Sequence, residues 1–239
     1  MFEKWKRYSF AAQKHQRHRV LKIIIVFFIF LLLYNLISAF LFSSWVLSNN
    51  TMQPGLNSGD RLIFASSAWL KLSNTRSVDT VPFIRGNVVL IEKGHNDDRK
   101  IPGLILDSVV RFFTFQRLSI LNKDDIFIKR VIGIPGDEIH MVNFVFHVKP
   151  AGSAFSLTEF ELSGKPYHPA IPQIMPIWNE SIPFSGSMDR LVLGQDEYFV
   201  VCDDRSNTND SRTWGPVPKS YVKAKALLRI WPLTKIERL

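Results

Sequence analysis

The residue with the most chemical promise in this sequence is a lysine set in an apolar, alternating stretch. Lys129 stands in FIKRVIGIPGD (127–137), with Phe127 and Val131 two positions away on either side. Side chains at i and i±2 share one face of a strand. On a buried face the ammonium loses its hydration, and a neutral amine can take a proton from a hydroxyl. On an outward face the same residue is a solvated lysine, and lysine is seldom fully buried; alternation alone leaves both open. A second stretch, SNNTMQPGL (48–56), is polar and turn-rich and carries the hydroxyl of Thr51. A third, DDRSNTNDSRTWG (203–215), mixes three acids and two arginines with Ser, Thr and Asn. Such a loop can brace itself on its own ion pairs and side-chain-to-backbone bonds, and so hold a group rigidly beside a site.

Other chemistries find little local support. The six histidines are His15, His18, His95, His140, His147 and His168, and none falls in a metal-ligand spacing such as H-x-x-x-H. His140 and His147 lie in a strand pattern and read as structural or surface residues. There is no G-x-S-x-G elbow, although a Ser-His-Asp site assembled from distant positions stays open. Cys202 is the single cysteine, which excludes an intrachain disulfide and a cysteine metal cluster. No metal and no cofactor is expected.

The elements that must position these residues come in two parts. The chain has 239 residues and a formal charge of +9, but residues 1–22 hold seven cations against one acid. The remainder holds 23 cations and 20 anions, too balanced for a nucleic-acid surface, and no nucleic-acid partner is expected. Directly after the basic tail, Ile23–Phe42 contains no charged residue. About 20 apolar residues cross a bilayer, so 23–43 reads as an uncleaved transmembrane signal-anchor, longer than a signal-peptide core. The cations precede it, which predicts a cytoplasmic N-terminus and an extracytoplasmic domain over 44–239, on a single-pass chain of the cytoplasmic membrane. Trp45 is placed for the bilayer interface.

The exported part alternates short Val-, Ile- and Phe-rich runs with Gly, Pro, Asn and Asp turns. The runs are Arg61–Ala65, Asn87–Glu92, Asp125–Ile132, Glu138–Val148, Glu197–Val201 and Ala224–Trp231. The fold class is therefore mainly β, an antiparallel domain after an N-terminal helix. Residues 93–124 and 149–195 break the strand rhythm and read as insertions.

In their order, and after one anchor, these segments resemble the type I signal peptidases, membrane proteases with a serine/lysine dyad. The nucleophile box of that family has the form S-G-S-M-x-P-T-L, and SNNTMQPGL places Thr51 at the serine. The lysine box, Y-I-K-R-x-x-G-x-P-G-D, is matched by FIKRVIGIPGD at every defined position but the first. The last box, G-D-N-R-x-x-S-x-D-S-R-x-W-G, is matched by CDDRSNTNDSRTWG (202–215), with Cys202 for the first glycine and Thr208 for the serine. RGNVVLI (85–91) resembles the strand between them.

The resemblance implies cleavage of signal peptides from exported preproteins beside the lipid bilayer. It makes Thr51 and Lys129 the catalytic pair, with Thr208 bonding the Lys129 amine. Arg130 would pair with Asp203, and Arg212 with Asp210. Asn49 would assist the Thr51 N–H in an oxyanion hole, while Met52 and Pro54 would lie near substrate or membrane. An extended substrate could add to a sheet edge, with small pockets for alternate alanines. Threonine is the main departure, since its methyl restricts χ1. Thr51 either works with Lys129 in an adapted site, or the chain is a degenerate, membrane-anchored binding or assembly module. SGSM at 185–188 repeats the nucleophile letters but lacks the proline and follows the lysine box, so Ser187 is the weaker candidate.

Overall fold

The structure is a computed structural model and describes residues 10–40, 42–67, 69–70, 83–93, 110, 126–173 and 186–239. It divides into two units, one through Leu41 and one over Phe42–Leu239. The first contains a single described helix, α1 (Phe10–Phe40), about 46 Å long at the α-helical rise. Among the described residues no helix is long and apolar enough to cross a membrane. The part of α1 whose side chains are described, residues 16–34, joins Arg17, Arg19 and Lys22 to the apolar run that starts at Ile23. From Ile23 to Phe40 the helix sequence has no charged residue.

The second unit is built from strands β1 (Phe42–Val46), β2 (Arg61–Ser66), β3 (Val88–Glu92), β4 (Ile126–Gly133), β5 (Glu138–Val142), β6 (Val145–Lys149), β7 (Leu157–Thr158), β8 (Met188–Val192), β9 (Glu197–Val201), β10 (Val217–Pro218), β11 (Val222–Trp231) and β12 (Glu237–Arg238). Two short helices, α2 (Glu159–Leu162) and α3 (Ser211–Trp214), interrupt them. The larger sheet runs β1-β2-β11-β3-β4-β9-β10, with β12 added to β11, and the smaller runs β7-β6-β5-β8. All named pairings are antiparallel. The mainly β, antiparallel expectation therefore holds for the described residues.

The larger sheet is covered on both faces, and alternation sorts its side chains between them. Val88, Leu90 and Ile128 join Met52, Leu56, Leu62 and Phe64 in one core cluster. Val89, Ile91, Val131, Tyr198 and Val200 join Phe83 and Val217 in the other. A third cluster joins the two sheets, Ile132, Phe199 and Val201 packing against Ile139, Met141, Phe146, Val148 and Leu193. The register of β4 shifts between Val131 and Gly133. There the bare backbone of Gly133 accepts Ile139 and Leu193, whose methyl groups would lie 2.2 and 2.8 Å from a Cβ.

One expectation is corrected by this arrangement. The run Glu138–Val148 is two strands, because the chain reverses at Asn143 and Phe144, both at positive φ (51° and 63°). A two-residue hairpin turn demands that conformation, but it is normally signalled by Asn-Gly or Asp-Gly. Phe144 tolerates the strained position while buried, its N–H bonded to the Gly186 carbonyl at 2.8 Å. Trp45 lies in β1, half-buried against the Met52 cluster. The described parts of residues 149–195 supply β7, α2 and β8 beside β5 and β6. Residues 174–185 lie outside the described residues, as does 93–124 apart from Lys93 and Val110.

Candidate active site

The loop between β1 and β2 is closed by short-range bonds. The N–H of Leu47 donates to the Asp60 carbonyl and that of Gly59 to Leu47, both at 2.8 Å. Arg229 on β11 fastens the loop from below, donating to Gly55 O at 2.9 Å and pairing with Asp60 at 3.1 Å. Thr51 sits in this loop and is only 5% exposed. Its Oγ1 donates to Asn49 Oδ1 at 2.7 Å, and its N–H faces the same oxygen at 3.4 Å. Asn49 therefore holds both the hydroxyl and the amide of Thr51. Met52, expected at the substrate or membrane surface, is completely buried in the core. Pro54 is exposed.

Lys129 is 1% exposed in the middle of β4. Its face is shared with Phe127 and Val131, and Trp214 closes it, 4.9 Å from the Phe127 ring and 5.8 Å from Lys129 Nζ. Nζ donates to Cys202 Sγ at 3.0 Å. Thr208 makes no hydrogen bond to Lys129; its carbonyl instead accepts from Thr213 Oγ1 at 2.5 Å. Cys202 immediately follows β9, with its N–H on Asp210 Oδ2 at 2.9 Å. Burial pushes its thiol up to about 11, against the opposing pull of the Lys129 charge.

The neighbouring residues form a braced loop. Arg130 grips Asp203 with two bonds, at 2.7 and 2.5 Å, while its third nitrogen donates to Gly86 O and its plane lies 3.9 Å from the Tyr167 ring centroid. Planar, two-point contact of this kind suits arginine in a buried pair. Arg212 holds Asp210 at 3.0 and 2.8 Å and also donates to the carbonyls of Arg205 and Asn207. Asp210 in turn caps α3 through the Arg212 N–H. The Asp204 N–H donates to the Thr51 carbonyl at 3.1 Å. The Thr51 loop and the Lys129 strand are thus both tied to residues 202–204, one by a main-chain bond and the other by the cysteine.

Two contributions were not legible in the sequence. Glu159 is buried and accepts from Arg205 at 2.5 Å, Tyr167 at 2.5 Å and the Phe146 N–H at 3.1 Å, which clamps the smaller sheet to the loop after β9. Thr158-x-x-Glu161 spells the capping box that starts α2, but no spacing links Glu159 to Arg205. The position of Cys202 in its box gives it no role. A cleft of about 790 Å³ opens on the Arg130 face, lined by Pro54, Gly55, Tyr167 and Asp203 among others, and includes neither Thr51 nor Lys129. Ser187 directly precedes β8 in the smaller sheet and has no hydrogen bond to Lys129.

Asp210 makes acid stability testable. Burial would raise its carboxyl, but the Arg212 guanidinium and the N–H groups of Cys202 and Arg212 outweigh that and hold it below the usual carboxylate range. A lowered folded-state value contributes stability that is complete above the ordinary value near 3.9 and lost as pH falls through the lower one. Asp210→Asn is expected to cost about 3–5 kcal/mol in urea unfolding at pH 7, because it strands Arg212. The gap should narrow below pH ~4, and an equal gap at every pH would show that ionisation is not its source.

Residues 20–231 match the family described as signal peptidase, peptidase S26. The chain belongs to that family. A probable signal peptidase I-2 of Synechocystis sp. is 29% identical over 128 residues, 54% of this chain and 49% of that relative. Signal peptidase IB of Staphylococcus aureus is 28% identical over 118 residues, 48% of this chain and 59% of that relative. The similarity thus spans about half the length of these relatives.

Proposed function

We propose that this chain is a membrane-anchored endopeptidase that removes signal peptides from exported preproteins, with Thr51 as nucleophile and Lys129 as general base. The observation that carries the reading is the burial of Lys129 against Phe127 and Trp214, on a strand tied to the Thr51 loop through residues 202–204. A lysine amine that meets the hydroxyl in its neutral form can take the proton, which is the role of a general base.

In the proposed reaction Thr51 Oγ1 leaves Asn49 Oδ1, gives its proton to Lys129 Nζ and bonds to the scissile carbonyl carbon. The Thr51 N–H and the Asn49 carboxamide N–H groups receive the developing oxyanion. The Lys129 ammonium then protonates the departing amine, and water releases the signal peptide from the Thr51 ester. Arg130, Asp203, Asp210 and Arg212 keep the loop in place, and Thr208 supports it through its carbonyl.

Anchoring is proposed from the sequence of α1. Residues 23–40 are uncharged, with Asn35 and Ser38 the polar members of an otherwise apolar helix sequence, close to the ~20 residues that cross a bilayer. The basic residues before Ile23 set a cytoplasmic N-terminus. The anchor would confine enzyme and substrate to one bilayer surface.

The test is cleavage of a preprotein with a small-residue A-x-A site by the purified full chain, together with protease accessibility in intact cells. A product ending at that site is expected, with 44–239 degraded from outside the cytoplasmic membrane and 1–20 protected. No product from either the wild type or Thr51→Ser would leave the non-catalytic binding module. Reversed accessibility would remove the signal-peptide role.

A further inference from the structure

We infer that Cys202 is the positioning residue of the general base, its sulfur accepting an N–H of Lys129 and so aiming the amine lone pair at the nucleophile. The inference rests on the proposed reading of Lys129 as the base. Among the described residues, Lys129 has one side-chain hydrogen-bond partner, Cys202 Sγ at 3.0 Å. The Thr208 hydroxyl, to which the family resemblance gave this task, is not bonded to Lys129.

The donor count fits the assignment. A neutral amine has N–H groups to give and one lone pair with which to accept a proton. Spending an N–H on a fixed sulfur leaves that lone pair pointing elsewhere. Cys202 is itself fixed. Its N–H is held by Asp210 Oδ2 at 2.9 Å, and its sulfur lies 3.7 Å from Asn207 Oδ1 and 3.8 Å from the Asn209 carbonyl. The single S–H has either of those oxygens as its acceptor, which leaves sulfur lone pairs for the amine. With the thiol pushed up to about 11 by burial, the group is S–H at neutral pH and is a neutral acceptor for the amine.

The charged groups around the pair are already engaged or lie beyond an aromatic ring. Asp210 is held by Arg212 and Asp203 by Arg130, while Lys93 stands 4.5 Å from the centroid of the Trp214 ring. The thiol is therefore the polar group that the amine meets directly.

The experiment measures kcat and KM against pH for the purified full chain, Cys202→Ala, Cys202→Ser and Lys129→Ala, with Tm alongside. Should the wild type be slow, the same series is made on Thr51→Ser. Cys202→Ala is expected to lower kcat about tenfold or more, as a misaimed group does, with KM unchanged. It also removes an acceptor that favours the ammonium, so the acid limb of kcat/KM moves to lower pH. Cys202→Ser should restore kcat to within about threefold and move the limb to higher pH, since a hydroxyl oxygen is the stronger acceptor.

A second readout needs no turnover. The ¹⁵N signal of Lys129 Nζ, assigned by its loss in Lys129→Ala, should titrate in the same two directions. Unchanged limbs and unchanged ¹⁵N titration in both variants, or a kcat loss that only follows Tm, would overturn the inference. Activity in Lys129→Ala would instead overturn the reading on which it rests.

Discussion

Lys129→Ala is expected to stop preprotein cleavage altogether, a loss of at least about 10²–10⁴-fold from the general base alone. The fold should survive. Lys129 lies between the apolar groups Phe127, Val131 and Trp214, and among the described residues no carboxylate pairs with it. Its removal therefore strands no buried counter-charge, the usual source of a large penalty. What is lost is packing along the stem, and a modest fall in Tm is the expected cost. Lys129→Arg should be equally inactive, because a guanidinium stays protonated at any working pH and its fork does not fit the space of one amine. Measuring kcat/KM and Tm for both variants checks this. Near-wild-type cleavage by either would remove the lysine-base mechanism.

How much of this was legible beforehand depends on the range of the interaction concerned. The faces of β3 and β4 follow from alternation, and so did the grouping of Lys129 with Phe127 and Val131. Local pattern carries that information, because side-chain direction on a strand has period two. Burial of Lys129 does not follow from alternation, since it depends on Trp214, more than eighty positions away. The hairpin at Asn143-Phe144 escaped because its positive φ values are imposed by the hairpin and its packing on residues near Gly186, not by a permissive residue. Met52 was misplaced for a related reason. A methionine in a polar turn reads as surface, but the loop folds back through Asp60 and Arg229 and turns it into the core. The Lys129–Cys202 contact spans 73 positions, and the Arg130–Asp203 pair the same number. Both come from the adjacency of β4 and β9, whose register aligns Arg130 with Val201.

Replacing Thr51 is expected to separate an adapted site from a degenerate one. Thr51→Ala should abolish turnover, because no other hydroxyl combines the nucleophile-box context with a loop tied to the lysine strand. Thr51→Ser carries more information. In the structure the Thr51 hydroxyl is directed at Asn49 Oδ1, at 2.7 Å, in a position 5% exposed. The extra methyl restricts χ1, so the oxygen has little freedom to swing from Asn49 toward a substrate carbonyl. If the site was shaped for serine, a displacement of about 1 Å costs on the order of 100-fold. Thr51→Ser should then raise kcat by about that factor from a low base. If the surrounding loop has adapted to threonine, the wild type is already active. Serine, with its freer χ1, should then be comparable or somewhat slower. Single-turnover rates on one preprotein distinguish the two cases, since they isolate the attack from product release. Full activity in Thr51→Ala would sink both, and would move the search to Ser48, exposed in the same loop, or to Ser187 at the start of β8.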